Sequence, residues 1–256
     1  MALSWTLDKL GPLCLTADDC GLVLEAISGY DPKDPSTDNE SWSYEPEERD
    51  WKIAVPKDIL EGKIEPVAEN FRESVKELEK FATVEEIQFP EFPYESVTRT
   101  ILNGEAAAAF DELCEMGLAA ELTAPEDRYG PYARSMTLAK DYLRALRLRK
   151  QMCRIAEDVL EGYDAVIAPT SGSTAHPIDK PFPVRRPWAF RDIMGALGNG
   201  AGMPSQCVPN GFSKKGLPTG IQFMGRAYDE NKVISIAKMY QENTSWHLRH
   251  PEMFTP

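Results

Sequence analysis

Short apolar runs that stop at proline alternate with longer amphipathic stretches, and this alternation narrows the fold more than any other feature of the chain. Lys52-Ile-Ala-Val55 stops at Pro56 and Asp164-Ala-Val-Ile-Ala168 at Pro169, while Val84–Phe89, which alternates apolar and polar residues, is bounded by Pro90. Runs this short, bounded by proline, read as strands. The stretches between them repeat at helical spacing. Pro66 suits the first turn of a helix whose stripe is Val67, Phe71, Val75 and Leu78. Thr16 caps a helix that runs to Ser28, with Leu22, Val23, Ala26 and Ile27 turned inward and Gly29 as its stop. Glu95–Met116 is a third helix, stopped by Gly117, with Asn103-Gly104 as a weak point inside it.

Thr137–Leu160 is the longest helix, with Leu138, Tyr142, Leu146, Met152, Ile155 and Val159 as its apolar positions. Arg144, Arg147, Arg149, Lys150 and Arg154 cover the rest, a basic face expected to be paired within the protein. Trp188–Leu197 reads as a short helix. Asp229 is placed to cap a final one carrying Val233, Ile236, Ala237 and Tyr240 on one face.

Strands that alternate with helices predict an α/β fold, helices layered on a sheet. Two further strands, Ser205–Val208 and Thr219–Met224, are separated only by the turn-rich Asn210–Gly216. That connection is too brief for a helical crossover, so the sheet is expected to be mixed. Residues 31–50 and 170–187 carry no periodic pattern and are rich in Pro, Ser or acidic residues, so both read as loops. The 256 residues are enough for a substantial core and are read as part of one domain, residues 1–256.

A net charge of −13 argues against nucleic acid or an anionic membrane as a direct partner, because phosphate contacts need a basic surface. No apolar run approaches a membrane span, and Met1-Ala-Leu-Ser4 has no export signal. Cys14, Cys20, Cys114, Cys153 and Cys207 are odd in number and scattered, which fits reduced thiols and a cytoplasmic location. No metal or cofactor spacing is present. His247 and His250 lie three apart without a third ligand, and His176 stands in the Pro-rich loop; both places read as surface turns.

Three regions resemble the amidase signature family, in order along the chain. The first is Ser4-Trp-Thr-Leu-Asp-Lys-Leu-Gly-Pro12 with Ile27-Ser-Gly-Tyr-Asp-Pro-Lys-Asp34. The second runs from Tyr129-Gly-Pro131 through Asp141-Tyr-Leu-Arg-Ala145 to Tyr163-Asp-Ala-Val-Ile-Ala-Pro-Thr170. The third is Asn199-Gly-Ala-Gly-Met-Pro204, Val208-Pro209, Gly211-Phe212, Gly216-Leu-Pro-Thr-Gly-Ile-Gln222 and Trp246-His247. The resemblance implies the family's mixed α/β fold, incomplete here at its N-terminal side.

It also implies amide hydrolysis through an acyl-enzyme. In that chemistry a serine attacks the carboxamide carbonyl, while a second serine on a cis peptide and a lysine move the proton. All three groups belong to the upstream half of the family, ahead of the segment resembling Leu3–Leu13, with the nucleophile in its Gly/Ser-rich signature. No G-G-S-S-G-G run occurs in this chain. Ser171-Gly-Ser173 reads as a flexible loop and Cys207 as an inert thiol without a base partner. The expectation is therefore that the chain holds no catalytic residue and is silent alone.

Substrate-facing positions do carry over. Asp192 matches an acidic residue that takes a substrate amino group in the family's amidotransferase branch. Arg134 lies near the place of an arginine that pairs with a substrate carboxylate. Asn199, Gly200 and Gly202 sit in the Asn199–Pro204 loop, which the resemblance places beside the acyl pocket. The partners implied are a small-molecule amide and either an N-terminal half or a second copy of the chain. Three functions stay open: an amidase, a non-catalytic remnant or split subunit, and a tRNA-dependent amidotransferase component. A sheet lacking its upstream strands would expose apolar surface and make the chain self-associate.

Overall fold

A computed structural model describes residues 2–34, 37, 39, 41–125, 128–180 and 193–250. In chain order the elements are α1 (Ala17–Ile27), β1 (Trp51–Pro56), α2 (Glu65–Leu78), β2 (Ala82–Ile87), α3 (Tyr94–Ala109) and α4 (Asp111–Glu115). They continue with α5 (Gly130–Arg134), α6 (Ala139–Val159), β3 (Ala165–Pro169), α7 (Ile193–Ala201), β4 (Ser205–Phe212), β5 (Pro218–Met224) and α8 (Glu230–Glu242). The chain divides into two compact units. One is residues 1–10, 90–158 and 191–203; the other is 11–89, 159–190 and 204–256.

The second unit contains a five-stranded sheet in the order β2-β1-β3-β5-β4. β1 is parallel to β2 and β3, while β5 is antiparallel to β3 and β4. The mixed α/β sheet expected from the sequence is present. Strand alternation puts Ile53, Ile167, Ile221 and Phe223 on one face, where α2 and α8 cover them with Phe71, Leu78, Ile236 and Tyr240. Each buried side chain of this size contributes about 1.5–3 kcal/mol. β3 is buried at every position, as its unbroken apolar run requires of a strand covered on both faces.

A polar network pins the β4–β5 hairpin to this core. Asn210 Nδ2 donates to Ser74 Oγ at 3.0 Å, and Thr219 Oγ1 donates to Asn210 Oδ1 at 2.7 Å. Asn70 Nδ2 donates to Thr219 Oγ1 at 2.8 Å, and the Ser74 and Tyr240 hydroxyls meet at 3.0 Å. Linked groups of this kind fix one register, since a slip would leave buried polar atoms unpaired.

Several elements depart from the sequence reading. Thr16 caps α1 as expected, its Oγ1 accepting from Asp19 N at 3.0 Å. The apolar stripe of α1 is nevertheless turned outward, with Leu22 55%, Val23 41% and Ile27 60% exposed. The buried face is the small one, Ala17, Cys20 and Gly21, because the Tyr44 ring lies so close that a Cβ on Gly21 would meet it at 2.4 Å. The expected Glu95–Met116 helix breaks at Phe110, not at Gly104, where the Tyr142 ring packs. Asp229 does not cap α8 through its side chain; its carboxylate instead takes Lys232 at 2.7 Å. Leu138 lies outside α6 and is exposed, while Ala145, Met152 and Ala156 are that helix's buried residues. Of the expected Trp188–Leu197 helix, residues 193–197 open α7, and the preceding five lie outside the described residues. No helix among the described residues is long and apolar enough to cross a membrane.

Candidate substrate-bordering site

The Asn199–Gly202 segment belongs to the first unit, and it is the end of a helix where the sequence suggested a loop. α7 runs through Asn199 and Gly200 to Ala201. Gly202 then adopts a φ of +77°, a conformation that glycine enters without steric cost, and Met203 N closes the turn on Gly198 O at 3.0 Å. Gly200 is buried. A Cβ there would meet Met152 Cε at 2.2 Å and Thr98 Oγ1 at 2.7 Å, so no larger residue fits. Asn199 is exposed and donates its side-chain amide to Gly195 O at 3.2 Å.

Arg149, on α6, fixes this turn to the start of the chain. Its Nε donates to Gly200 O at 2.7 Å, and its two terminal nitrogens donate to Thr6 Oγ1 and Thr6 O, both at 2.7 Å. Thr6 is held in turn by Glu105 of α3, which is only 4% exposed. That carboxylate accepts from Thr6 N at 3.0 Å, Thr6 Oγ1 at 2.7 Å, Tyr142 OH at 3.1 Å and the Ser4 hydroxyl at 2.5 Å. Burial by itself would raise the Glu105 pKa. The hydrogen bonds from Ser4, Thr6 and Tyr142 outweigh it and hold the carboxyl below its ordinary value.

Lys9 adds a second cation, its Nζ 3.5 Å from Asn199 O. Desolvation, and then repulsion from Arg149, lower its pKa. The turn is thus a rigid, glycine-lined helix end with Arg149 and Lys9 on its carbonyls. Such a surface can border and orient a bound group. Its hydroxyls, those of Ser4 and Thr6, are spent on the buried Glu105 carboxylate that holds the frame together.

The other expected site residues fall elsewhere. Asp192 lies outside the described residues. Arg134 ends α5, half-buried, and no described hydrogen bond or ion pair joins it to the Asn199–Gly202 turn. Cys207 is an exposed residue of β4 in the second unit. Protein packed around its sulfur still pushes the thiol above its ordinary value, the opposite of activation. Ser171 Oγ accepts from Ser173 N at 3.4 Å within a turn, and His176 Nδ1 meets Pro177 O at 3.1 Å. His247 lies in a short 3₁₀ turn, and no metal-binding group of three His, Cys, Asp or Glu exists among the described residues.

Sequence reading missed Arg149, Glu105 and Thr6 as the frame of the turn. Arg149 stood in a run of basic residues and was expected in an ordinary surface pair. Among the described residues only Arg144 of that run makes one, to Asp141 at 3.9 Å. No local signal separates the two arginines, since the partners of Arg149 lie 143 and 51 residues away.

The fold is shared with known proteins. The Amidase family profile matches residues 1–234, and the chain belongs to that family. It is similar to the A-type subunit of the glutamyl-tRNA(Gln) amidotransferase of Pseudomonas savastanoi pv. phaseolicola, 28% identical over 284 residues that cover 99% of this chain and 59% of the relative. The same amidotransferase component of Thermotoga maritima is 30% identical, with 96% and 58% covered. The crystal structure of that Thermotoga protein superposes with a TM-score of 0.75 over 95% of this chain and 54% of its own. Native peptide amidase from Stenotrophomonas maltophilia, 24% identical, shares the fold with a TM-score of 0.72 over 95% of this chain and 55% of its own. The chain therefore spans somewhat more than half the length of the relatives it matches.

Proposed function

We propose that this chain is part of an amide-hydrolysing enzyme and supplies the wall of the substrate site, with the reacting groups carried by polypeptide outside these 256 residues. The observation that carries the reading is the Asn199–Gly202 turn, framed by Arg149, Thr6 and Glu105 in a chain of the Amidase family. A turn built to this rigidity suits the positioning of an acyl group against a nucleophile, where small displacements cost rate. The nucleophile would be a serine. Its Oγ adds to the carboxamide carbon, the C–N bond breaks, and the amine leaves with the proton relayed by a second serine and a lysine. Water then hydrolyses the ester. The missing groups would come from the same longer protein or from a separate chain, and Asp192 and Arg134 would meet charged ends of the substrate.

The names of the relatives support a narrower second reading, a component of a tRNA-dependent amidotransferase. In it the −13 charge leaves tRNA contact to partner subunits.

Serine labelling tests the main reading. The 256-residue chain alone is expected to take up no fluorophosphonate. Co-expression with the remaining part of a relative's sequence is expected to restore labelling on that added part, together with amide hydrolysis. Stoichiometric labelling of a serine in the chain alone overturns the reading. Ammonia transfer to glutamyl-tRNA only with partner subunits present would select the second reading.

A further inference from the structure

A cavity of about 580 Å³ opens in the second unit at the carboxyl ends of parallel strands β1 and β3. One wall is Ile64, Glu65, Pro66 and Glu69, which follow β1 and begin α2. A second is Thr174, Ala175 and Pro177, which follow β3, and the third is Phe212–Lys215 with Leu217 of the β4–β5 hairpin. The place is meaningful in an open α/β sheet. The chain leaves β1 towards β2 on one side and leaves β3 towards β4 and β5 on the other. Ligands of such sheets bind in the crevice outside the carboxyl ends of strands at this reversal.

The walls are fixed before any ligand arrives. Ile64 N donates to Gly172 O at 3.1 Å and ties the loop to the start of α2. Ser213 Oγ accepts from Lys215 N at 3.3 Å and from Leu217 N at 3.2 Å, which sets the hairpin tip. Behind it, Asn70 Nδ2 reaches both Phe212 O and Thr219 Oγ1. The lining is largely apolar, with Ile64, Pro66, Pro177, Phe212 and Leu217, and the volume suits a small organic molecule.

Its charges are separated. Lys214 and Lys215 stand on the hairpin wall, and neither makes an ion pair among the described residues. Glu65 and Glu69 stand on the helix wall. Glu65 is drawn to Arg72 at 3.7 Å, while Glu69 makes no such pair among the described residues. An occupant that carries both an anion and a cation on an apolar body complements both walls together. A simple anion or a simple cation would face repulsion from one of them.

We propose that this cavity binds a small zwitterion with an apolar body, of the class of an apolar α-amino acid. Its carboxylate meets Lys214 and Lys215, its ammonium meets Glu69, and its side chain lies on Phe212, Ile64 and Leu217. The site is separate from the amide-hydrolysis reading and stands or falls without it.

Isothermal titration of the whole chain with L-phenylalanine tests the proposal. Phenylalanine amide, which lacks the carboxylate, and N-acetylphenylalanine, which lacks the ammonium, serve as single-charge probes. One saturable site for phenylalanine is expected, with each single-charge probe binding about tenfold more weakly, as the loss of one charged contact implies. The double substitution Lys214→Gln with Lys215→Gln should weaken phenylalanine by a similar factor, and that variant should bind phenylalanine amide no more weakly than the native chain does. Both lysines are exposed, so an unchanged circular dichroism spectrum verifies the fold. Absence of saturable binding overturns the proposal, as do equal affinities for the three probes or phenylalanine binding that ignores the double substitution.

Discussion

The sheet of the second unit and the Asn199–Gly202 turn of the first are both rigid, but different forces hold them. The sheet is fixed by apolar burial, with Ile53, Phe71, Ile221 and Phe223 packed between strands and helices. The turn is fixed by a few charge-assisted hydrogen bonds through Arg149, Thr6 and Glu105, which join segments that lie far apart in the chain. Burial is non-directional and spread over many side chains. A charged network is directional and concentrated in a few atoms. The two regions should therefore fail in different ways.

The largest effect is expected in the sheet. Phe71→Ala opens a cavity under β5 and α8 and should cost about 3–5 kcal/mol. A urea titration followed by far-ultraviolet circular dichroism checks this, and a loss below about 1 kcal/mol would mean the core there is not close-packed. A smaller and more local effect belongs to the turn. Glu105→Gln keeps the shape but removes the charge that Ser4, Thr6 and Tyr142 point at, and should cost about 1.5–3 kcal/mol.

The same carboxylate sets a pH dependence. Because the folded pKa lies below the unfolded one, the unfolded chain takes up the proton first as pH falls. Its stabilisation is whole above the ordinary glutamate pKa and is lost as pH drops below it towards the folded value. Hydrogen exchange at Thr6 should rise over that acid range in the native chain and be fast and pH-flat, after correction for intrinsic rates, in the variant. The smallest effect belongs to the exposed face of α1. Ile27→Lys should change stability by no more than about 0.5 kcal/mol, since the side chain is 60% exposed. If that face drives self-association, sedimentation should show the variant shifted towards monomer. An unchanged oligomer distribution would remove α1 from the interface.

The fold was legible wherever a pattern and its partner coincide. β3 and α2 read correctly because an unbroken apolar run and a clean Val67–Phe71–Leu78 stripe each find a buried surface. α1 misled because its stripe is as apolar as that of α2, yet Gly21 and the Tyr44 ring made the small face the inner one. The site was legible only in part. Gly200 and Gly202 could be chosen from their spacing and family likeness, whereas Glu105 had no distinguishing neighbour in the sequence. An isolated carboxylate on a helix reads as surface, and only contact with Ser4 and Thr6 reveals that it is buried.

By itself the sequence determined most of the element types, the mixed character of the sheet and the membership of the Amidase family. These depend on local periodicity, on proline and glycine as stops, and on short motifs read in order. The tertiary structure alone decided which face of α1 is buried, which of the basic residues of α6 frames the turn, and where the cavity at the end of β1 and β3 lies. Each of those rests on contacts between residues far apart in the chain, whose energies no local window contains.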